Sequence, residues 1–283
     1  MDWIERLNSV MDYIEGHLAD TISTEEAARI ACCSSYHFQR MFAYMADMPL
    51  SEYIRRRRMS LAAKDLLSGE KVLDVALKYG YASPTAFNRA FQSVHGIAPS
   101  LAGKEGVYLK TYLPISFKIT VKGAEEMNYR IEKKEAFRVM GVAAPLAKEI
   151  EQNFAAVPEL WQKAATDGTI PRLVQHMNGK WQGVLGVSAC MAENEWRYYL
   201  AVATEDALEE GWEEYTVPAF TWAIFEGTGQ CPQAIQELEK RIVTEWLPSS
   251  GYEYDNGPDV ELYISPDPMN AKFEVWIPVV KKQ

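Results

Sequence analysis

An amide and a guanidinium stand side by side twice in this chain, as Gln39-Arg40 and as Asn88-Arg89, 49 residues apart. Gln and Asn can pair bidentately with adenine, and Arg with guanine, in the major groove of a duplex. The chemistry on offer is base readout. Both pairs sit in matched text: Ser34-Ser-Tyr-His-Phe-Gln-Arg-Met-Phe42 and Ser83-Pro-Thr-Ala-Phe-Asn-Arg-Ala-Phe91 each carry Phe-x-Arg-x-Phe behind a serine. The same offset carries Ala27 to Ala76 and Ser51 to Ser100. One unit is written twice.

Such side chains can read a base only if a helix holds them outward. Phe38 and Phe42, like Phe87 and Phe91, lie at i and i+4 and share one buried face. The residues around them point elsewhere: Ser35, Tyr36, Gln39 and Arg40 on the first helix, and Thr85, Asn88 and Arg89 on the second. These seven are the candidate DNA-binding residues. A shorter helix precedes each copy. In the first, Thr24 is the expected N-cap, with Glu25 and Glu26 at the positive helix end. In the second, Gly80 suits a left-handed C-cap, and Ser83-Pro84 restarts a helix with N-cap and N1 residues. Short helix, tight turn, short helix is the helix-turn-helix pattern. A single amphipathic helix with a solvated polar face would give the same text once; the second copy weakens that reading. DNA reading requires the flanks around Gln39 and Asn88 to face outward.

The supporting elements follow. Trp3, Ile4, Leu7, Val10, Met11, Ile14 and Leu18 form a helical stripe. Residues 49–68 are expected to form a long connecting helix, with Tyr53, Ile54, Leu61 and Leu66 inward. Its Arg55–Arg58 run suits either phosphates or local ion pairs.

A different chemistry lies further along. From Met127 the pattern changes to period two, with candidate strands over 129–142, 183–191, 196–204, 215–226, 259–264 and 272–280. Helical segments over 149–167 and 232–247 interrupt them. The expectation is an α+β antiparallel sheet with helices, in two similar halves. Glu274 and Trp276 share one strand face, opposite Phe273, Val275 and Ile277; Glu261 and Tyr263 share a face opposite Val260, Leu262 and Ile264. A carboxylate with aromatic walls suits an organic cation. Seven of the eight Trp fall in this half. The candidate effector-binding residues are Glu274, Trp276, Tyr263, Glu261, Trp161, Tyr199 and Trp222.

Charge separates the halves. Residues 1–105 hold 12 Lys and Arg against 13 Asp and Glu; residues 106–283 hold 17 against 26, so nearly all of the net −10 belongs to the second half. Phosphate binding needs a local basic face rather than a basic whole, and the acidic half points to a ligand other than nucleic acid. The longest apolar runs fall short of a membrane span, and the N-terminus lacks a signal-peptide layout. Cys32, Cys33, Cys190 and Cys231 form no CxxC pair and read as idle thiols of a reducing cytoplasm. His17, His37, His95 and His176 are scattered and read as structural or surface residues; no metal, cofactor or catalytic residue is expected.

Over residues 4–100 the chain resembles the AraC/XylS-type DNA-binding domain, on Ser34–Phe42, Ser51-Glu-Tyr-Ile-Arg-Arg-Arg-Arg-Met59, Gly80-Tyr-Ala-Ser83, Phe87-Asn-Arg-Ala-Phe-Gln92 and Gly96-Ile-Ala-Pro-Ser100. Asp47 stands where that family often has Gly, and Leu101-Ala-Gly103 replaces its Tyr-Arg ending. The resemblance implies an all-α domain of two helix-turn-helix units joined by a long helix. Promoter DNA is then a partner, with RNA polymerase a further candidate. Residues 127–281 resemble the GyrI-like effector-binding domain, on Val157-Pro-Glu-Leu-Trp161, Gly183-Val-Leu-Gly-Val187, Tyr198-Tyr-Leu-Ala-Val202 and Phe273-Glu-Val-Trp-Ile-Pro278. That family binds small, often cationic or aromatic molecules between pseudo-symmetric halves, and its closing-strand glutamate carries over to Glu274. The implied layout is a DNA-binding domain over 1–105, a connector over 106–126 and an effector domain over 127–283. The whole reads as a cytoplasmic transcription regulator sensing a small effector. Some stand-alone members of the second family are similar to hydrolases, so a hydrolase or sequestering domain on a DNA-binding module stays as the alternative.

Overall fold

The computed structural model describes residues 3–118, 126–192, 195–265, 267 and 269–282. The chain divides into two compact units, Met1–Ile119 and Thr120–Gln283. The boundary expected near residue 125 lies outside the described residues.

The first unit is all-α: α1 (Trp3–Gly16), α2 (Thr24–Ala31), α3 (Ser35–Ala46), α4 (Leu50–Leu67), α5 (Val72–Lys78) and α6 (Pro84–His95), then a 3₁₀ turn over Pro99–Leu101. Serines start the key helices. The Ser34 hydroxyl accepts from His37 N–H to cap α3, and the Ser83 hydroxyl accepts from Ala86 N–H to cap α6, with Pro84 at the first helical position. The cap of α2 is Ser23, one residue before the expected Thr24; its hydroxyl accepts from Glu26 N–H at 3.1 Å. Asp47 takes the left-handed conformation, φ 51°, that glycine would occupy without strain.

Phe38, Phe42, Phe87 and Phe91 are all 0 % exposed. The second pair packs in one core with Met59, Ala62 and Leu66 of α4 and with Val75 and Ala76 of α5. Two residues expected on the inward face of α4, Ile54 and Leu61, are only half-buried, and Arg57 and Ser60 are buried instead. The arginine run is spent inside the unit. Arg55 and Arg56 pair with Glu52, Arg57 with Glu15, and Arg58 donates to the Leu18 and Asp20 carbonyls.

Residues 107–118, in the stretch expected as a connector, form no strand and are held by hydrogen bonds against the first unit. His95 Nδ1 accepts from Lys110 N–H at 3.2 Å and Nε2 donates to the Met59 carbonyl at 3.1 Å. Burial holds the imidazole pKa below its ordinary 6.5. An unfolded His95 therefore takes a proton that the folded one resists. The stability this confers is complete above pH 6.5 and is lost as pH falls from 6.5 through the lowered folded value. The urea midpoint followed by helical circular dichroism is expected to drop over that window, and less steeply in His95→Gln.

The second unit is one antiparallel sheet with helices. Its elements are β1 (Tyr129–Lys134), β2 (Phe137–Leu146), α7 (Ile150–Thr166), α8 (Thr169–Gln175), β3 (Val184–Ala192) and β4 (Glu195–Ala203). They continue with β5 (Glu213–Val217), β6 (Phe220–Gly229), α9 (Gln233–Arg241), β7 (Tyr252–Tyr254), β8 (Asp259–Tyr263) and β9 (Ala271–Lys281). The strand order is β1-β6-β9-β8-β3-β4-β2-β5, with β7 added beside β9. Two segments expected as single strands are split, at Glu135-Ala136 and at Pro218-Ala219, because the pieces pair with different partners.

This order contains a two-fold. β2, β3 and β4 pair as β3-β4-β2, and β6, β8 and β9 pair as β8-β9-β6; the halves meet at β3 and β8. Each half also lends its leading strand to the other: β1 precedes β2 but pairs with β6, and β5 precedes β6 but pairs with β2. β1 and β2 are six places apart in the sheet, as are β5 and β6. A flat sheet would put them about 29 Å apart. Only two residues join each pair, a link that spans about 11 Å at most. The sheet must therefore curl almost closed. Phe137 of β2 accordingly meets Trp276 of β9, ring centroids 6.2 Å apart, though three strands lie between.

Candidate functional site

The curl gives the sheet an inner and an outer face, and the register assigns every side chain to one of them. Leu262 pairs with Glu274 and Val260 with Trp276, so these four share a face. It is the inner one, where Trp276, Trp222, Tyr199, Val187 and Leu185 form a core. Glu261 pairs with Val275 and Gly186, and Tyr263 with Phe273, on the outer face that the helices cover. α7 and α8 pack on β2, β3 and β4, and α9 packs on β6 and β9. β8 runs between the two helix groups.

The seven candidate effector residues therefore do not form one site. Glu274, Trp276, Tyr199 and Trp222 lie inside the curl, and Trp276 and Trp222 are both 0 % exposed. Tyr199 stacks on Tyr215 at 5.3 Å, as core. Glu274 opposes Glu226 directly across β6 and β9, a repulsive pair. Arg130 of β1 answers it, donating to Glu274 at 2.7 Å, Glu226 at 3.0 Å and Glu132 at 2.6 Å. Glu274 also accepts from Trp276 Nε1 at 2.6 Å. The aromatic walls beside it hold a cation of the chain itself, Lys134, whose Nζ lies 4.6 Å from the Trp276 ring centroid and 5.3 Å from that of Trp181.

The other three candidates do converge, on the outer face. Glu261 Oε2 accepts from Tyr263 Oη at 3.0 Å and from Tyr198 Oη at 3.1 Å; Trp161 Nε1 donates to Tyr198 Oη at 2.8 Å. The Trp161 and Tyr263 rings lie 4.5 Å apart. Burial, then the adjoining Glu261 charge, pushes the Tyr263 phenol pKa well up, so it stays a donor. Gly186 on β3 makes the room: a Cβ there would come within 2.1 Å of Tyr198 Oη and 2.9 Å of Glu261 Oε2. The arrangement is a carboxylate on the sheet floor between the helix groups, walled by indole and phenol rings, fit to hold an organic cation. Sequence reasoning missed Tyr198 and Gly186. Alternation alone puts Tyr198 and Tyr199 on opposite faces, but only the register says which one joins Glu261.

In the first unit, Thr85 and Arg89 are exposed on α6 and Asn88 is half-buried, accepting from Gln92 at 3.1 Å. On α3, Ser35 and Arg40 are half-buried, with the Arg40 guanidinium 5.8 Å from the Tyr44 ring centroid. Tyr36 and Gln39 are each 8 % exposed in the full chain. The outward flank expected on both helices is present on α6 and is covered on α3. Tyr36, Gln39 and Ala43 form a second buried stripe there, led by a ring whose burial is favourable.

Residues 130–279 match the family described as integron-associated effector binding protein, and residues 27–104 match a helix-turn-helix domain family. The transcriptional activator AarP of Providencia stuartii is 40 % identical over 96 residues, 34 % of this chain and 71 % of AarP. The right origin-binding protein of Escherichia coli K12 is 35 % identical over 102 residues, 36 % of this chain and 35 % of that protein, so this chain spans about a third of it. The chain belongs to the AraC-type helix-turn-helix regulators, with an integron-associated effector-binding domain. It is a DNA-binding transcription regulator. An integron cassette protein of Vibrio cholerae is 19 % identical with a TM-score of 0.40, covering 54 % of this chain and 95 % of its own.

The contact at Gly186 is directly testable. Gly186→Ala should lower the melting temperature, the overpacking costing about 1–3 kcal/mol. Combined with Tyr198→Ala, it should cost clearly less than the sum of the two single changes.

Proposed function

We propose that the regulator responds to a small organic cation held at Glu261 between Trp161, Tyr198 and Tyr263. The observation that carries this is the pair of phenol hydroxyls on one carboxylate oxygen, with the Trp161 ring against Tyr263. Neutral donors orient the carboxylate without cancelling its charge, and aromatic faces add cation–π attraction once water is excluded. A bound cation would part the Trp161 and Tyr263 rings. Glu274 is the weaker candidate, because a ligand cation would have to displace Arg130 from it. In calorimetric titration with a lipophilic aromatic cation such as tetraphenylphosphonium, Glu261→Gln should weaken binding tenfold or more, roughly 1.4 kcal/mol. Glu274→Gln should have a smaller effect. Equal affinity for Glu261→Gln and the wild type would remove Glu261 from the site.

On DNA, we infer that α6 reads with Thr85, Asn88 and Arg89, and α3 with Ser35 and Arg40, Tyr36 and Gln39 being buried. Arg89→Ala should cost about 1–3 kcal/mol of specific binding in a gel-shift titration and relax the preference at one base position. Unchanged affinity would take Arg89 off the interface. RNA polymerase is the proposed protein partner at the promoter. The effector is proposed to be bound and released rather than turned over, so it should be recovered intact after long incubation.

A further inference from the structure

The stretch 107–118 docks on the first unit through side chains that catch its backbone. Asn8 of α1 takes both backbone groups of Phe117: Phe117 N–H donates to Asn8 Oδ1 at 2.8 Å, and Asn8 Nδ2 donates to the Phe117 carbonyl at 3.0 Å. Ile115 N–H donates to Tyr53 Oη at 3.2 Å, and Tyr112 N–H donates to Ser60 Oγ at 2.9 Å, both on α4. Arg57 donates to the Tyr112 carbonyl while held by Glu15 of α1 at 2.6 and 2.8 Å. At the other end Lys110 is held by His95, on the last turn of α6.

The two ends of this strap grip different helix-turn-helix units. Phe117 stands edge-on to Phe42, the core phenylalanine of α3, at 6.2 Å. Leu109 and Tyr112 pack against the core that seats α6. The strap thus crosses from one recognition helix to the other over α4, independently of the helical connection.

We infer that the strap fixes the separation and angle of α3 and α6, and so sets the half-site spacing the regulator accepts; this rests on both helices reading DNA. Asn8, Ser60 and Phe117 are then positioning residues for recognition, although they lie off the reading faces. Two heads held rigidly act on a matched site with a high effective concentration, and a mismatched spacing forfeits it. Inserting one base pair between half-sites moves them about 3.4 Å and turns them about 35°. A rigid pair cannot follow that, whereas a loose pair can.

The test uses the full-length chain and a duplex site selected from random DNA, with one base pair inserted between its halves, and with each half alone. The wild type is expected to lose about tenfold or more in affinity on insertion. Asn8→Ala with Ser60→Ala should lose less than about threefold while binding each isolated half as the wild type does. Phe117→Ala is the second variant, used if the double change melts early. Discrimination as strict as wild type in a folded variant overturns the strap's role, and equal weakening on both isolated halves does so too, since a general loss of stability would cause it. Arg89→Ala runs alongside. If that change leaves binding intact, the α6 reading fails and the strap's role falls with it; if Arg89→Ala weakens binding while the strap variants keep the spacing, the strap inference alone is wrong.

Discussion

Two links of two residues each govern the second unit. β1 must reach β2 and β5 must reach β6 across a distance a flat sheet would make nearly three times too long. The curl that resolves this decides which side chains become core and which can meet a ligand. Tryptophans sent to the inner face pack against one another: Trp222 and Trp276 at 6.0 Å, Trp181 and Trp276 at 5.6 Å. Charges at the same face must be neutralised locally, and Arg130 and Lys134 do so on β1 and at its end. The outer face is covered by helices that belong to separate halves, so the line between the halves, along β3 and β8, is where a carboxylate can stand among aromatics.

The first unit solves a related problem with less material. Each recognition helix is pinned by two phenylalanines one turn apart, and that pinning sets the azimuth of everything between them. For α6 the result is an exposed polar flank. α3 carries Tyr36 in that flank where α6 carries Thr85, and the larger ring is under cover together with Gln39.

Much of this was legible in the sequence. The repeat, the Ser83 cap and the phenylalanine spacing depend on neighbours three and four residues away, and local text records such neighbours. The switch to period two at residue 127 and the helical stretches, seen over 150–166 and over 233–249 with a π-helical turn at 242–246, were legible for the same reason. Strand parity was legible too: Glu274 with Trp276, and Glu261 with Tyr263. What text cannot record is the relation between two parities on different strands. Leu262 standing opposite Glu274 puts the two glutamates on opposite faces, and that single register choice divides one imagined site into a salt-bridged core edge and an aromatic cage. The split of 129–142 at Glu135-Ala136 was hidden likewise, because both pieces are good strands and only their different partners separate them.

The choice between the two glutamates follows from what holds each. A guanidinium 2.7 Å from Glu274 is a charge-assisted contact, which a ligand cation must replace with something at least as good while leaving Arg130 to be satisfied elsewhere. Arg130 also holds Glu132 and Glu226, so its removal would expose two facing carboxylates to each other. The donors on Glu261 Oε2 are neutral phenols: their bonds to the carboxylate are charge-assisted but leave its charge uncancelled, and the hydroxyls can turn aside by rotation. The tilted contact of Trp161 with Tyr263 costs ring–ring attraction to open, but under the proposed reading the same two rings would then face the cation. On the proposed reading, exchange of ring–ring for ring–cation contact is close to balanced before the carboxylate's attraction is counted, and that attraction is what would favour binding at Glu261.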